Sequence, residues 1–360
     1  MTRQRGGQVR WSLLVVLAAV VAIAVGGHFV TSGWFTHRAL QLMQPSGPPK
    51  QNLIAIADRR DEMLREFDTT NLRLDVEDIL PGGPAKDGIR SLVNPQHVPV
   101  GTDLGLQADS RVIVISVNGR TVAYPVGILM VHEIANDNIG DVPIAVTYCP
   151  LCDSVAAFER RITRRGDEDV EPLSLEFGVS GLLAHSNVLM YDRTHGALWS
   201  QLTLEAMSGP LSGTTLRALP FRMMSLGAFT AEHPNASIMT VDVPLFGLYL
   251  NHPYYANYLQ SRDTMFPVPK QGRALPEKTL GVGVLVDQAA IFITARSLRE
   301  TPRVFQTTGG PVVLSASPSG ISIHEAPEES RLMQTYYYAW SAFHRDTTIV
   351  DDPGRRPHGQ

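Results

Sequence analysis

The chain is 360 residues long, 44% hydrophobic and 18% charged, with a formal net charge of −4 and two cysteines. Length and composition fit one large or two ordinary globular domains with a core that needs no cross-links. They exclude a disulfide framework, and the lack of a Lys/Arg cluster after the apolar N-terminal run speaks against a nucleic-acid partner.

Residues 1–10 form a basic tail carrying Arg3, Arg5 and Arg10. Residues 11–34 contain no Asp, Glu, Lys or Arg. A helix crosses the hydrocarbon layer with about 20 apolar residues, so a single transmembrane anchor is expected here. The positive tail keeps the N-terminus in the cytoplasm and places the bulk of the chain outside it, in the periplasm. Ala22-Ile23-Ala24 has the small-x-small form of a signal-peptide cleavage site. The apolar character runs on through Val25, Phe29, Val30 and Trp34, which favours an uncleaved anchor, and either alternative exports the domain.

Residues 35–73 read as a linker, Gln44 to Pro49, followed by an amphipathic helix with Leu53, Ile54, Ile56, Met63, Leu64 and Phe67 at helical spacing. From Leu74 the pattern turns β-rich. A strand at 111–117, the Asn118-Gly119 hairpin signal and a returning strand at 121–124 come first. A helix is expected over 126–136. Leu129, His132, Glu133 and Asn136 then share one face. An apolar strand at 142–148 delivers the chain to Cys149.

The order then recurs in weaker form. The apolar alternation at 279–295 resembles the first hairpin, 310–314 resembles 142–146, and Ser315 to Gly320 falls where Tyr148 to Asp153 stood, without cysteines. The predicted fold is α+β and β-rich, an internally duplicated mostly-β unit with a helix in the first copy, behind the transmembrane helix. Its parts are a first copy at 74–240 bearing the cysteine pair, a connecting segment at 241–277, a degenerate second copy at 278–352 and a tail at 353–360.

Cys149-Pro150-Leu151-Cys152 is the chemical focus. A disulfide closing so short a loop restricts the unfolded chain very little, so chemistry is a better reading than stapling. Three settings fit the spacing. Cys149 can open a helix whose N-terminus favours a thiolate, the pair can sit at a hairpin tip like that of a metal knuckle, or it can form an inert disulfide. A thiolate zinc site normally takes four ligands. His132, His185, Met190 and Met207 are the candidates for the rest, and methionine would point to Cu(I). Met190 and Met207 read more readily as core filler, and His185 as a loop residue. His132 has the best claim, with a hydrogen-bonded structural histidine weighing equally. His132-Glu133-Ile134-Ala135-Asn136 lacks the second His of a zincin motif, and no nucleophile elbow, P-loop or dinucleotide fingerprint is present. Asp192 to Gly196 reads as a turn between strands, where Asp and Arg are usually solvated.

Val146 to Cys152, Gly178 to Leu183, Asn187 to Arg193 and Leu198 to Gln201 closely resemble the DUF3179 family. His132-Glu133-Ile134, Asn136-Asp137, Gly82-Gly83-Pro84 and Asp87-Gly88-Ile89 extend the resemblance over about residues 80 to 350. The resemblance carries no assigned activity. Some relatives are labelled selenoproteins, which implies that selenocysteine can occupy the cysteine motif and tilts the reading toward redox work. It also implies one cluster of Cys149, Cys152, His132, Asn187, Met190, Asp192, Trp199 and Gln201. The leading expectation is a thiol–disulfide pair serving a protein or small-molecule redox partner. Cys149 is the expected nucleophile, Cys152 the resolving sulfur, His132 or Asp192 the proton-transfer group, and Asn187, Trp199 and Gln201 binding residues. Two alternatives stand beside it. Cys149, Cys152, His132 and Met190 could hold copper or zinc, or the chain could be a scaffold with a structural disulfide.

Overall fold

The computed structural model describes residues 53–162, 172–241, 255–268 and 274–352. The expected anchor at 11–34, the linker before residue 50 and the tail at 353–360 lie outside the described residues. Among the described residues no helix is long and apolar enough to cross a membrane.

Helix α1 (Leu53–Leu64) and the turn after it bury Met63 and Phe67 against Ile79, Leu182, Leu189 and Leu198. The amphipathic helix is therefore packed onto the body of the protein. Three short strands follow, β1 (Ile79–Pro81), β2 (Leu92–Val93) and β3 (Gln96–Pro99). Strands β4 (Arg111–Val117) and β5 (Arg120–Pro125) form the expected hairpin, with Asn118 and Gly119 at φ 49° and 76°. Two successive left-handed residues give the turn a twist that matches the strands, which is why Asn-Gly is favoured there.

Helix α2 (Val126–His132) is shorter than the 126–136 expected from spacing. Glu133 takes φ 58° and its N–H closes the helix on Leu129 O at 2.7 Å. Residues from Ile134 on instead form β6 (Ile134–Ile139), antiparallel to β7 (Val142–Cys149) with six paired positions. The ladder and the burial of alternate side chains outweigh continuation of the helix, so Glu133 and Asn136 do not share a helical face. The hairpin continues into β8 (Ser154–Glu159).

A block without counterpart later in the chain comes next: β9 (Arg161–Ile162), β10 (Leu173–Ser174), β11 (Phe177–Ala184), β12 (Asn187–Asp192), β13 (Leu198–Ser200) and β14 (Glu205–Ala206). Then β15 (Arg222–Ser225), α3 (Leu226–Glu232), β16 (Ser237–Thr240) and α4 (Ala256–Gln260) lead to the last third. It comprises β17 (Leu280–Val286), β18 (Ala289–Thr294), β19 (Arg303–Thr307), β20 (Gly310–Ser317), β21 (Gly320–Glu325), β22 (Arg331–Tyr336), α5 (Tyr337–Phe343) and β23 (Thr348–Val350).

The two eight-stranded sheets follow one scheme with exchanged parts. One runs β2-β6-β7-β8-β22-β17-β18-β23 and the other β19-β20-β21-β15-β4-β5-β16-β3. In each, three antiparallel strands from one part of the chain dock beside four strands from the other, the last contact of each four is parallel, and one short edge strand, β2 or β3, makes the eighth. Neither segment completes a sheet alone. Between the sheets lies a core built from Ile113, Ile115, Tyr124, Ile144, Val146, Tyr148, Val282 and Val284.

The cysteine-bearing sheet has a second buried face. The five-stranded sheet β1-β11-β12-β13-β14 adds a second core, with Phe158, Phe177, Val179, Met190 and Trp199. Side chains alternate along a strand. Ile144, Val146 and Tyr148 of β7 accordingly face the first core, and Ala145 and Cys149 the second.

Candidate functional site

Cys149 ends β7, pairs with Ser154 across the hairpin, and Cys152 lies in the intervening turn. The setting is a hairpin tip. Asp153 takes φ 45° to complete the reversal. Its carboxylate accepts from Tyr148 Oη at 2.8 Å and from Arg111 Nη2 at 3.0 Å, while Arg111 Nε donates to Ser319 O at 2.8 Å. Burial and the Asp153 charge together shape Arg111, and the charge raises its pKa.

The turn is closed in from the other side. Leu151 O accepts from Tyr258 Oη at 2.5 Å and Tyr338 Oη at 2.8 Å, Cys152 O from the Tyr336 N–H at 2.9 Å, and Asp153 O from Gln334 Nε2 at 3.3 Å. A buried carbonyl without a partner is costly, so these donors hold the loop in one shape. Lys278 lies over the Tyr258 ring at 3.8 Å and donates to Tyr258 O and Ser261 O.

Both thiols are free, and Cys149 and Cys152 are 1% and 0% exposed. Asn187 Nδ2 stands 3.1 Å from Cys152 Sγ, 3.1 Å from Ser154 Oγ and 2.7 Å from Gln201 Oε1. Ser154 Oγ is 3.3 Å from Cys152 Sγ and donates to Gln201 Oε1 at 2.6 Å. Gln201 Nε2 reaches back to Thr147 Oγ1 at 3.1 Å. Asn187 Oδ1 is buried with no partner among the described residues.

This polar set separates the two sulfurs. Burial pushes the Cys149 thiol well above its ordinary value, and the neighbouring Cys152 and Glu133 push it the same way. Burial also acts against a charged Cys152, but its hydrogen-bonding neighbours, with Cys149 first and the Asn187 amide donating to the sulfur, outweigh it and leave that thiol below its ordinary value. Donors aimed at a sulfur favour its anionic form. Among the described residues the side-chain amide donor reaches Cys152 Sγ, from Asn187 Nδ2 at 3.1 Å. Burial first, and the Cys152 charge second, raise the Glu133 carboxyl to about 8.

Of the other residues singled out by sequence, Asn187 and Gln201 join the sulfur network directly. Met190 and Trp199 belong to the same apolar core as the cysteines. Asp192 is buried, not solvated. It accepts from Trp199 Nε1 at 2.8 Å and from the His195 N–H at 2.6 Å, fixing the turn after β12. It lies five residues from Asn187 along that strand, about 17 Å at the rise of a strand. His132 Nδ1 is 2.7 Å from Arg90 O. Among the described residues no three or more His, Cys, Asp and Glu side chains converge as a metal site, so His132 does not join the cysteines in one. His185 is buried in the β11–β12 turn, its ring edge-on to Phe343. Met207 packs in the cluster beneath α1. Ser154 and Thr147 were not singled out as site residues: Thr147 lies inside the Val146 to Cys152 motif and Ser154 just beyond it, and the β7–β8 hairpin brings both into the polar network beside the sulfurs.

These features define a β-rich, double-sheet protein with a buried dithiol at a hairpin tip. A family model described as protein of unknown function (DUF3179) matches residues 86–348, and the chain belongs to that family. No curated protein and no solved structure matches it.

Proposed function

We propose that Cys149 and Cys152 form a redox-active pair that exchanges a disulfide with a protein or small-molecule partner, on a domain held outside the cytoplasm by the apolar segment 11–34. The observation that carries the proposal is the Asn187 Nδ2 contact at 3.1 Å to Cys152 Sγ beside a second free thiol. A structural thiol pair needs no donor on one sulfur. A disulfide-exchange pair does, because the attacking species is the thiolate.

In the forward direction Cys152 thiolate attacks one sulfur of the partner disulfide and the other partner sulfur leaves as a thiolate. Cys149 then attacks Cys152 sulfur in the mixed disulfide, its proton is released, and the second partner sulfur departs. The partner gains two electrons and two protons, and the pair is left as a Cys149–Cys152 disulfide. The exchanged scheme of the two sheets supports a further proposal, that the chain arose by duplication of a mostly-β unit and only the first copy kept the cysteines.

Equilibration of the full-length protein in a series of thiol–disulfide buffers, quenched by alkylation and read by mass, tests the function. A single two-electron transition in which both cysteines become protected together is the expected result. Thiols that stay reduced at every poise, or a disulfide that resists every reductant, would sink it.

A further inference from the structure

We propose that the mouth between the two large sheets, at the β4–β5 turn, binds a small hydroxylated oxyanion, a carboxylate or a phosphate monoester, gripped by Arg120 and oriented by the His97–Asp137 pair. The length of β7 (Val142–Cys149), about 23 Å at the rise of a strand, separates this mouth from the cysteines. Its ligand is therefore independent of the thiol chemistry.

Strand register sets the site. β16 runs parallel to β5 with Ser237 beside Val122, and antiparallel to β3 with Met239 beside His97. Val122 and Met239 face the core between the sheets. Side chains alternate along a strand, so Arg120, Ser237 and His97 share that inward face. They lie where the core runs out. There the β6–β7 turn of the other sheet and the segment after α3 leave a cleft of about 500 Å³, within the ordinary range for a small-molecule site.

Arg120 supplies the charge. Its guanidinium lies over the β6–β7 turn, where a side chain on Gly140 would meet Nη1 at 3.6 Å. It makes no hydrogen bond and no ion pair among the described residues. The acidic side chain in the lining, Glu232, is engaged by Arg222, with Nη2 at 3.0 Å. A planar fork of N–H donors is thus left at the cleft, and that fork matches two oxygens of a carboxylate or phosphate.

His97 supplies the orientation. Its Nε2 lies 2.6 Å from Oδ2 of the buried Asp137, which also accepts from Tyr124 Oη at 2.7 Å, while Asp137 Oδ1 accepts the Asn138 N–H at 2.8 Å. A carboxylate only accepts, so Nε2 carries the hydrogen and the neutral ring keeps Nδ1 as an acceptor. Neither Nδ1 nor Ser237 Oγ has a hydrogen-bond partner among the described residues. Arg120 and His97 stand four residues along and two strands across from each other, about 16 Å between Cα atoms. Their side chains shorten that gap to one that suits a molecule with charge at one end and a hydroxyl several bonds away, and not a bare ion.

The matching mouth in the last third of the chain lacks these groups. Ala289 stands where Arg120 does, since Val286 pairs with Ala289 as Val117 pairs with Arg120. Thr348 takes the place of Ser237. Among the described residues no strand lies beyond β23, so His97 has no counterpart. Val286 packs on Gly309 there. The same strand scheme closes that mouth without an arginine or a histidine, so neither is needed to join the sheets.

Isothermal titration of the full-length protein, at one pH and ionic strength, tests the site with gluconate, glycerol 3-phosphate, propionate and glycerol. A hydroxylated anion should bind at a single site, gluconate if a carboxylate is recognised and glycerol 3-phosphate if a phosphate is. Propionate, which lacks the hydroxyls, and glycerol, which lacks the charge, should bind at least about 10-fold more weakly. Arg120 is exposed, so Arg120→Gln should fold normally and weaken the hydroxylated anion by about 10- to 100-fold, the scale of a charge-assisted pair. His97→Gln should weaken it by about fivefold. Arg296→Gln, which removes the same charge elsewhere, should leave the affinity unchanged. No saturable binding of either hydroxylated anion, unchanged affinity in Arg120→Gln, or equal affinity for propionate overturns the proposal.

Discussion

The hairpin β7–β8 and the hairpin β20–β21 occupy matching places in the two large sheets, and they differ at the tip. The first reverses through Pro150 to Asp153 with Cys149 at its base, buried throughout. The second reverses through Pro318 and Ser319, with Ser317 and Pro318 exposed. Strand pairing alone therefore does not make the site. The added sheet β11–β13 does, because it roofs only the first tip and supplies Asn187 and Gln201. Arg111 ties the two tips together, reaching Asp153 on one and Ser319 O on the other.

Four ways to break or sharpen that contrast follow in order of size. The largest concerns Glu133, which has no equivalent at the second tip. Its folded value of about 8 lies above the ordinary 4.5. Between these limits the unfolded chain has released the proton and the native state has not, so stability is fullest below 4.5 and falls as pH rises toward 8. The fall attributable to Glu133 is on the order of 4 kcal/mol. Urea unfolding across this range shows that slope in wild type and not in Glu133→Gln. In the last third of the chain the sign is opposite. His344 is lowered by burial from 6.5 to about 4, so its contribution is lost as pH falls through that range.

Next is Arg111→Met, which strands the Asp153 carboxylate beside Tyr148. Removing one partner of a buried pair costs about 3 kcal/mol, read as a drop in the urea midpoint with an unchanged slope. Asn187→Ala removes a donor from Cys152 and raises its thiol pKa, visible in the pH dependence of alkylation. Lys278→Met is the smallest. It loosens the Tyr258 segment over Leu151 and raises thiol reactivity a few-fold, at a stability cost of about 1 kcal/mol.

Much of the fold was legible in the sequence. Asn118-Gly119 marked its hairpin, apolar alternation marked β17 and β18, and the strand at 142–148 led to Cys149 as expected. The helix over 126–136 was overextended because Ile134 and Asn136 fit a helical stripe as well as a strand, and only pairing with β7 decides between them. The exchange of strands between the sheets left no local trace, since it depends on contacts between residues far apart in sequence. Asn187 and Gln201 were found through family motifs, while Asp192 and Trp199 in the same motifs turn out to brace a buried turn. Glu133 was hidden by the helical reading, and the order of the two sulfurs depends on donors that arrive from other strands.

The most direct test is the alkylation rate of each cysteine in the reduced full-length protein, measured separately by peptide mass spectrometry as pH is varied. Cys152 should react first, with a midpoint below that of an ordinary thiol, and Asn187→Ala should move that midpoint up. Faster modification of Cys149, or equal inertness of both thiols until the protein unfolds, would contradict a dithiol prepared for exchange at Cys152.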